Sequence, residues 1–146
     1  FPILATQEVA AQTTADTVRS LNGQGEVVLI VDDESTIVVT ARETLESNGY
    51  RVLTAASGEQ AVAVFQQQPD PIDLVVLDMM MPGMDGCETK SALRSIAREC
   101  KILATSGLRR PGNEGDKMAD INGFLAKPYS DEQLLRAVRN AIENSA

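Results

Sequence analysis

Short apolar runs, too short for helices, alternate along this chain with segments of helical period. Val27-Val28-Leu29-Ile30-Val31 is continuous, apolar and β-branched, the pattern of a strand buried on both faces. Ile37, Val38, Ala41 and Leu45 then recur at helical spacing, and Gly49 supplies a C-terminal stop. Arg51–Ala55 reads as a second strand. Ser57 with Gln60 resembles a capping box for a helix running to Gln67, ended by Pro69 and Pro71. Asp73–Leu77 is a third strand, followed by a helix with Leu93, Ile96 and Ala97 on one face. Ile102-Leu103-Ala104 is a fourth strand. A polar, Gly-rich stretch at 107–115 leads into a short, weak helix. Gly123–Ala126 is a fifth strand, and Ser130 with Gln133 opens a helix carrying Leu134, Leu135, Val138, Ala141 and Ile142. Parallel neighbours need crossovers, so this order predicts an α/β fold: a doubly wound, five-stranded parallel sheet with helices on both faces.

The chain has 146 residues, enough for one domain with a core of its own. Before residue 26 the composition is small and polar, so 1–25 reads as a linker or the end of a preceding domain and 26–146 as the folded domain. The net charge is −8, with no basic run, which argues against a nucleic-acid partner. There is no His, so no Ser-His-Asp triad, His-ligated zinc or phosphohistidine can be built from this chain. Its two cysteines, Cys87 and Cys100, lack metal spacing and read as inert, reduced thiols of a cytoplasmic protein. No apolar run approaches the length of a membrane span, and no signal peptide is visible. The chain opens on Phe1 and not on Met, which reads as a piece cut from something longer or as a start carrying vector residues.

In sheets of this kind ligands sit beyond the carboxyl ends of the strands. Those ends carry Asp32-Asp33, Asp78, Thr105-Ser106 and Lys127-Pro128. Three carboxylates brought together repel one another, and a hard divalent cation relieves the repulsion. Oxygen-only ligands suit Mg²⁺, with Mn²⁺ as an alternative. A hydroxyl and a lysine ammonium opposite complete a cradle for a phosphoryl group. Phosphoryl transfer needs little more, since its catalysis is mostly positioning and charge stabilisation. A carboxylate is already ionised at neutral pH and needs no base to act as nucleophile.

Four blocks stand in order at strand ends: VLIVDDE (28–34), LVVLDMMMPGMDG (74–86), ILATSG (102–107) and GFLAKPY (123–129). Together they make the chain similar to the receiver domains of two-component signalling, the flavodoxin-like, CheY-like fold of the chemotaxis response regulators, over about residues 26–146. The resemblance implies that Asp78 is the phosphoacceptor. It makes Asp33 a direct metal ligand, Asp32 a ligand through water, and the backbone carbonyl of Met80 the third protein ligand. It assigns Ser106 and Lys127 to the phosphoryl group and makes Ser106 and Phe124 the switch pair. It places a cis bond at Lys127-Pro128. Met80 and Leu108 fall where the family flanks the attacking water, and both are apolar, so the resemblance implies slow loss of the phosphoryl group.

Blander roles exist for several of these residues. Asp32 or Asp33 can cap a helix, Asp85-Gly86 is a turn signature, Phe124 can be core, and Glu34 reads only as favourable charge at a helix start. Arg109-Arg110 reads as a solvated loop. A haloacid-dehalogenase-type phosphohydrolase needs a second Asp two residues after the nucleophile, where this chain has Met80. A flavodoxin-like cofactor site would place hydroxyls after the first strand, where Asp32-Asp33-Glu34 would repel a phosphate. A protein-binding pseudo-receiver would lack some of the key residues that stand here.

The resemblance implies a phosphohistidine-bearing kinase or a histidine phosphotransfer domain as partner, with no direct membrane contact, and it also admits a homodimer. Little follows the last helix and a polar segment precedes residue 26, which suits the C-terminal receiver of a hybrid sensor histidine kinase whose parent chain is membrane-anchored. Phe1-Pro2-Ile3-Leu4 faintly resembles the closing strand of such a kinase's ATP-binding domain. The alternative is a stand-alone single-domain response regulator. The domain's own chemistry is then transfer to Asp78, and any kinase activity belongs to the parent chain.

Overall fold

A computed structural model describes residues 22–68, 71–81, 83, 86–107 and 121–143. The helix expected after 107–115, with Leu108, Arg109 and Arg110, lies outside the described residues. So do the first 21 residues, with Phe1–Leu4, and also Pro69, Met84 and Asp85.

The elements run β1 (Val27–Val31), α1 (Ser35–Ser47), β2 (Arg51–Ala55), α2 (Gly58–Gln67), β3 (Leu74–Asp78), α3 (Gly86–Ile96), β4 (Ile102–Ser106), β5 (Gly123–Ala126) and α4 (Asp131–Glu143). The five strands form one sheet in the order β2-β1-β3-β4-β5, and every pairing is parallel. This is the doubly wound sheet that the alternation predicts, and its order reverses beside β1.

Continuous apolar strands are required because both faces of the sheet are covered. Val28 and Ile30 of β1 pack with Leu74 and Val76 of β3 against Ala41 and Leu45 of α1 and Leu134, Val138 and Ala141 of α4. Leu29, Val31, Val75 and Leu77, one residue out of phase, pack on the other face with Ala61 of α2 and Leu93 of α3. All five residues of β1, β3 and β4 are buried. β5 is an edge strand and only partly covered.

Local signals behave as their chemistry dictates, with differences. Gly49 has φ +90° and its amide donates to the Glu46 carbonyl as α1 ends. The Ser57 hydroxyl accepts from the Gln60 amide at 3.1 Å, but the Gln60 side chain turns to the Ala56 amide. Ser130 and Gln133 make the reciprocal pair, at 3.1 and 2.8 Å. β3 runs one residue later than expected; the Asp73 carboxylate just before it accepts from the Val27 amide at 2.8 Å. In α3 the buried face is Gly86, Thr89 and Leu93; Ile96 is exposed and Ala97 lies past the helix end.

Gly86 is not a turn residue. It is buried as the first residue of α3, and a Cβ there would lie 2.6 Å from the Met79 Cα. Only glycine lets α3 approach the segment leaving β3 so closely. At the opposite end of the sheet, the Gly23 and Gly25 amides donate to the Asn48 and Gly49 carbonyls, and Arg139 of α4 pairs with Glu26 at 2.8 Å.

Candidate functional site

β1 and β3 are neighbours in the sheet, so their carboxyl ends bring Asp32 and Asp78 side by side. Both are buried, each 3% exposed, while Asp33 faces solvent. One carboxylate oxygen from each of Asp32, Asp33 and Asp78 lies within 4.8 Å of the others. Lys127, one residue past β5, reaches across β4 into this cluster. Its Nζ is 2.7 Å from Asp32 Oδ2, 3.3 Å from Asp78 Oδ2 and 3.9 Å from Glu34 Oε1. The lysine is held there by its own backbone, whose amide donates to the Ser106 carbonyl at 2.8 Å.

Each buried carboxylate is also tied locally. The Glu34 amide donates to Asp32 Oδ1 and the Met80 amide to Asp78 Oδ1, both at 2.9 Å. Asp32 uses one oxygen for this local turn and the other for Lys127; it does not cap α1, whose N-cap residue is Glu34. The second tie turns the chain sharply after Asp78 and sets the Met80 backbone beside the cluster, with Met80 56% exposed.

Burial pushes the Asp78 carboxyl above its ordinary value, and the nearby Asp32 charge adds to this; the Met80 amide and Lys127 oppose it. Burial works against the charge of Lys127, but the bonds and charges of Asp32 and Asp78 outweigh it and hold the ammonium above its usual range. Burial and the two aspartates also raise Tyr129, which lies just beyond.

One ammonium contacts two of three carboxylates whose oxygens lie within 4.8 Å of one another. No ion pair to Asp33 forms among the described residues. The donors are all oxygens and the local charge is negative, so the set fits a small, hard divalent cation held by Asp32, Asp33 and Asp78.

Ser106 ends β4, is 3% exposed and pairs with Ala126, one residue before Lys127. Phe124 pairs with Ala104 and is half-buried on β5. It stands apart from the carboxylates, lining a cavity of about 300 Å³ with Gln133, Arg136 and Asn140 of α4. The Lys127–Pro128 peptide bond is cis. A larger cavity, about 580 Å³, opens beside Lys127 between α1 and α4, lined by Glu34, Ile37, Thr40, Gly107, Tyr129 and Leu134.

Sequence reasoning missed the contact between Glu34 and Lys127. The signal was there, since Glu34 follows the aspartate pair directly, but a Glu at a helix start has an adequate local explanation. Neither Cys87 nor Cys100 forms a disulfide among the described residues; Cys100 is buried, and burial pushes its thiol up to about 11. Among the described residues no helix is long and apolar enough to cross a membrane.

Comparison with known proteins places the same residues in a wider set. A family profile described as the response regulator receiver domain matches residues 28–139. The sensor kinase CckA of Brucella abortus is 35% identical over 117 residues, which cover 80% of this chain and 12% of that protein. The transcriptional regulatory protein CpxR of Escherichia coli is 33% identical over 122 residues, 81% of this chain and 50% of that one. The chain therefore spans half or less of the length of these relatives. Among solved structures, the chemotaxis protein CheY4 of Vibrio cholerae superposes with a TM-score of 0.74 at 32% identity, covering 80% of this chain and 98% of that one. A CheX–CheY–BeF₃–Mg²⁺ complex from Borrelia burgdorferi gives 0.75 at 29% identity, covering 82% and 90%.

Proposed function

The chain belongs to the response regulator receiver family of two-component signalling, and on that premise we propose that Asp78 takes a phosphoryl group from phosphohistidine on a partner protein. The observation that carries this reading is the contact of Lys127 with two buried aspartates at the carboxyl end of the sheet. An Asp78 oxygen forms the new bond to phosphorus, and the bond from phosphorus to the donor nitrogen breaks. Lys127 then exchanges Asp78 Oδ2 for a phosphoryl oxygen, and Ser106 donates its hydroxyl to another. A divalent cation, Mg²⁺ by the donor set, would be held by Asp33 and Asp78 directly, by Asp32 through water and by the Met80 carbonyl. When bound, it supplies positive charge to the phosphoryl oxygens. The Mg²⁺ and BeF₃ named in the Borrelia burgdorferi complex support this assignment.

Incubation with acetyl phosphate, followed by mass spectrometry of the adduct, tests the reading. Labelling is expected at Asp78 alone, only with Mg²⁺, and to vanish in Asp78→Ala. Retained labelling in that variant, or full labelling in EDTA, sinks it.

For the parent protein, we read the domain as part of a hybrid sensor histidine kinase, a reading that the similarity to a sensor kinase supports. The alternative is a stand-alone single-domain response regulator; the similarity to CpxR supports only a response regulator and not a single-domain one, since the match covers half of that protein. The full reading frame around the chain decides between them.

A further inference from the structure

Glu34 is the N-cap residue of α1, yet its carboxylate makes no capping hydrogen bond to that helix. Short side chains such as Ser, Thr, Asp and Asn reach the free amides of a helix start. Glu34 is longer, and its carboxylate lies instead across the strand ends, 3.9 Å from Lys127 Nζ. The Glu34 side chain is 60% exposed and that of Lys127 11%. The glutamate therefore stands on the solvent side of the lysine, at the rim of the cavity that Lys127 and Gly107 also line. Asp32 and Asp78 hold the ammonium from below, and Glu34 faces it from outside. A small anion approaching Lys127 from that cavity meets this negative charge before it meets the positive one.

We propose that Glu34 is a specificity-determining residue of the site: it disfavours small, highly charged phosphoryl donors by repelling them and by competing for Lys127. This rests on the reading of Asp78 as phosphoacceptor. Two small donors separate charge from chemistry. At neutral pH acetyl phosphate is a dianion; its P–O bond breaks and acetate leaves with the electron pair, needing no proton. Phosphoramidate is a monoanion whose nitrogen is already protonated; its P–N bond breaks and ammonia leaves. In both, an Asp78 oxygen forms the new bond to phosphorus.

The experiment measures the second-order rate constant of Asp78 labelling with each donor in excess Mg²⁺, for wild type, Glu34→Gln and Glu46→Gln. Glu46 carries the same charge at the far end of α1, paired with Arg42. Glu34→Gln is expected to react about threefold faster with acetyl phosphate and less than twofold faster with phosphoramidate at low salt, both gains fading near 1 M salt. Glu46→Gln is expected to match wild type with both donors. An unchanged or slower rate in Glu34→Gln, an equal gain with both donors, a gain that survives high salt, or the same gain in Glu46→Gln overturns the role of Glu34. If wild type labels with neither donor, the reading of Asp78 falls and this inference falls with it.

Discussion

Asp78 is a carboxylate the fold has taken out of water, and its neighbours only partly make up for the loss. Burial is the largest influence on it, and the net effect is a raised pKa despite Lys127 at 3.3 Å. The direction sets the pH dependence of stability without metal. The folded chain holds the proton more tightly than the unfolded chain. The associated stability is full below the unfolded value and is lost as pH rises through the folded one. Asp78→Asn keeps the shape and cannot ionise. In EDTA it is expected to melt a few degrees above wild type at neutral pH, with the gap closing as the pH is lowered through the raised folded value toward about 4, the ordinary carboxylate value, and gone below it. Thermal melts across that range check this, and a gap that stays constant or widens toward acid refutes it. Asp78 was legible in the sequence because an apolar strand ends on it. The partial cost of its burial was not, since that depends on how much of β3 the helices cover.

Helix ends show where local chemistry suffices and where it does not. Ser130 and Gln133 satisfy one another's amides reciprocally at the start of α4, as their three-residue spacing announces. Ser130→Ala removes the acceptor for the Gln133 amide and is expected to cost about 1 kcal/mol. Urea unfolding checks this: the midpoint should fall with an unchanged slope, and an unchanged midpoint would show that the cap contributes nothing. The strands were legible nearly to the residue, because a sheet covered on both faces demands unbroken apolar runs. The face of α3 was less so. Helical period alone put Ile96 and Ala97 inward; Ala97 does pack on the core, but Ile96 is exposed and Thr89 is buried. The axis of α3 is set by how closely Gly86 approaches Met79, a contact between segments that periodicity cannot express. Glu34 was hidden for a similar reason, since its contact with Lys127 joins residues that only the strand order β1-β3-β4-β5 brings together.

The site draws on the ends of β1 and β3 and on the residue after β5, which are far apart in sequence and meet only when the whole sheet is assembled. A cation bound there has no counterpart in the unfolded chain, so its binding energy adds to global stability. At a hundredfold excess over Kd the gain is about 2.7 kcal/mol. For a domain of this size that corresponds to a rise of roughly 5–10 °C in Tm. With a net charge of −8 the chain also attracts cations without a site, so Mg²⁺ must be compared with NaCl at equal ionic strength. Asp33 is the useful position to change, because it is exposed and makes no ion pair among the described residues, so Asp33→Ala is expected to fold normally. Its Tm in EDTA should lie close to that of wild type, and Mg²⁺ should then raise it by only a small part of the wild-type shift. An equal rise in both proteins would mean that the ion binds away from the strand ends. A rise matched by NaCl would mean that it screens charge over the whole surface and occupies no site at all.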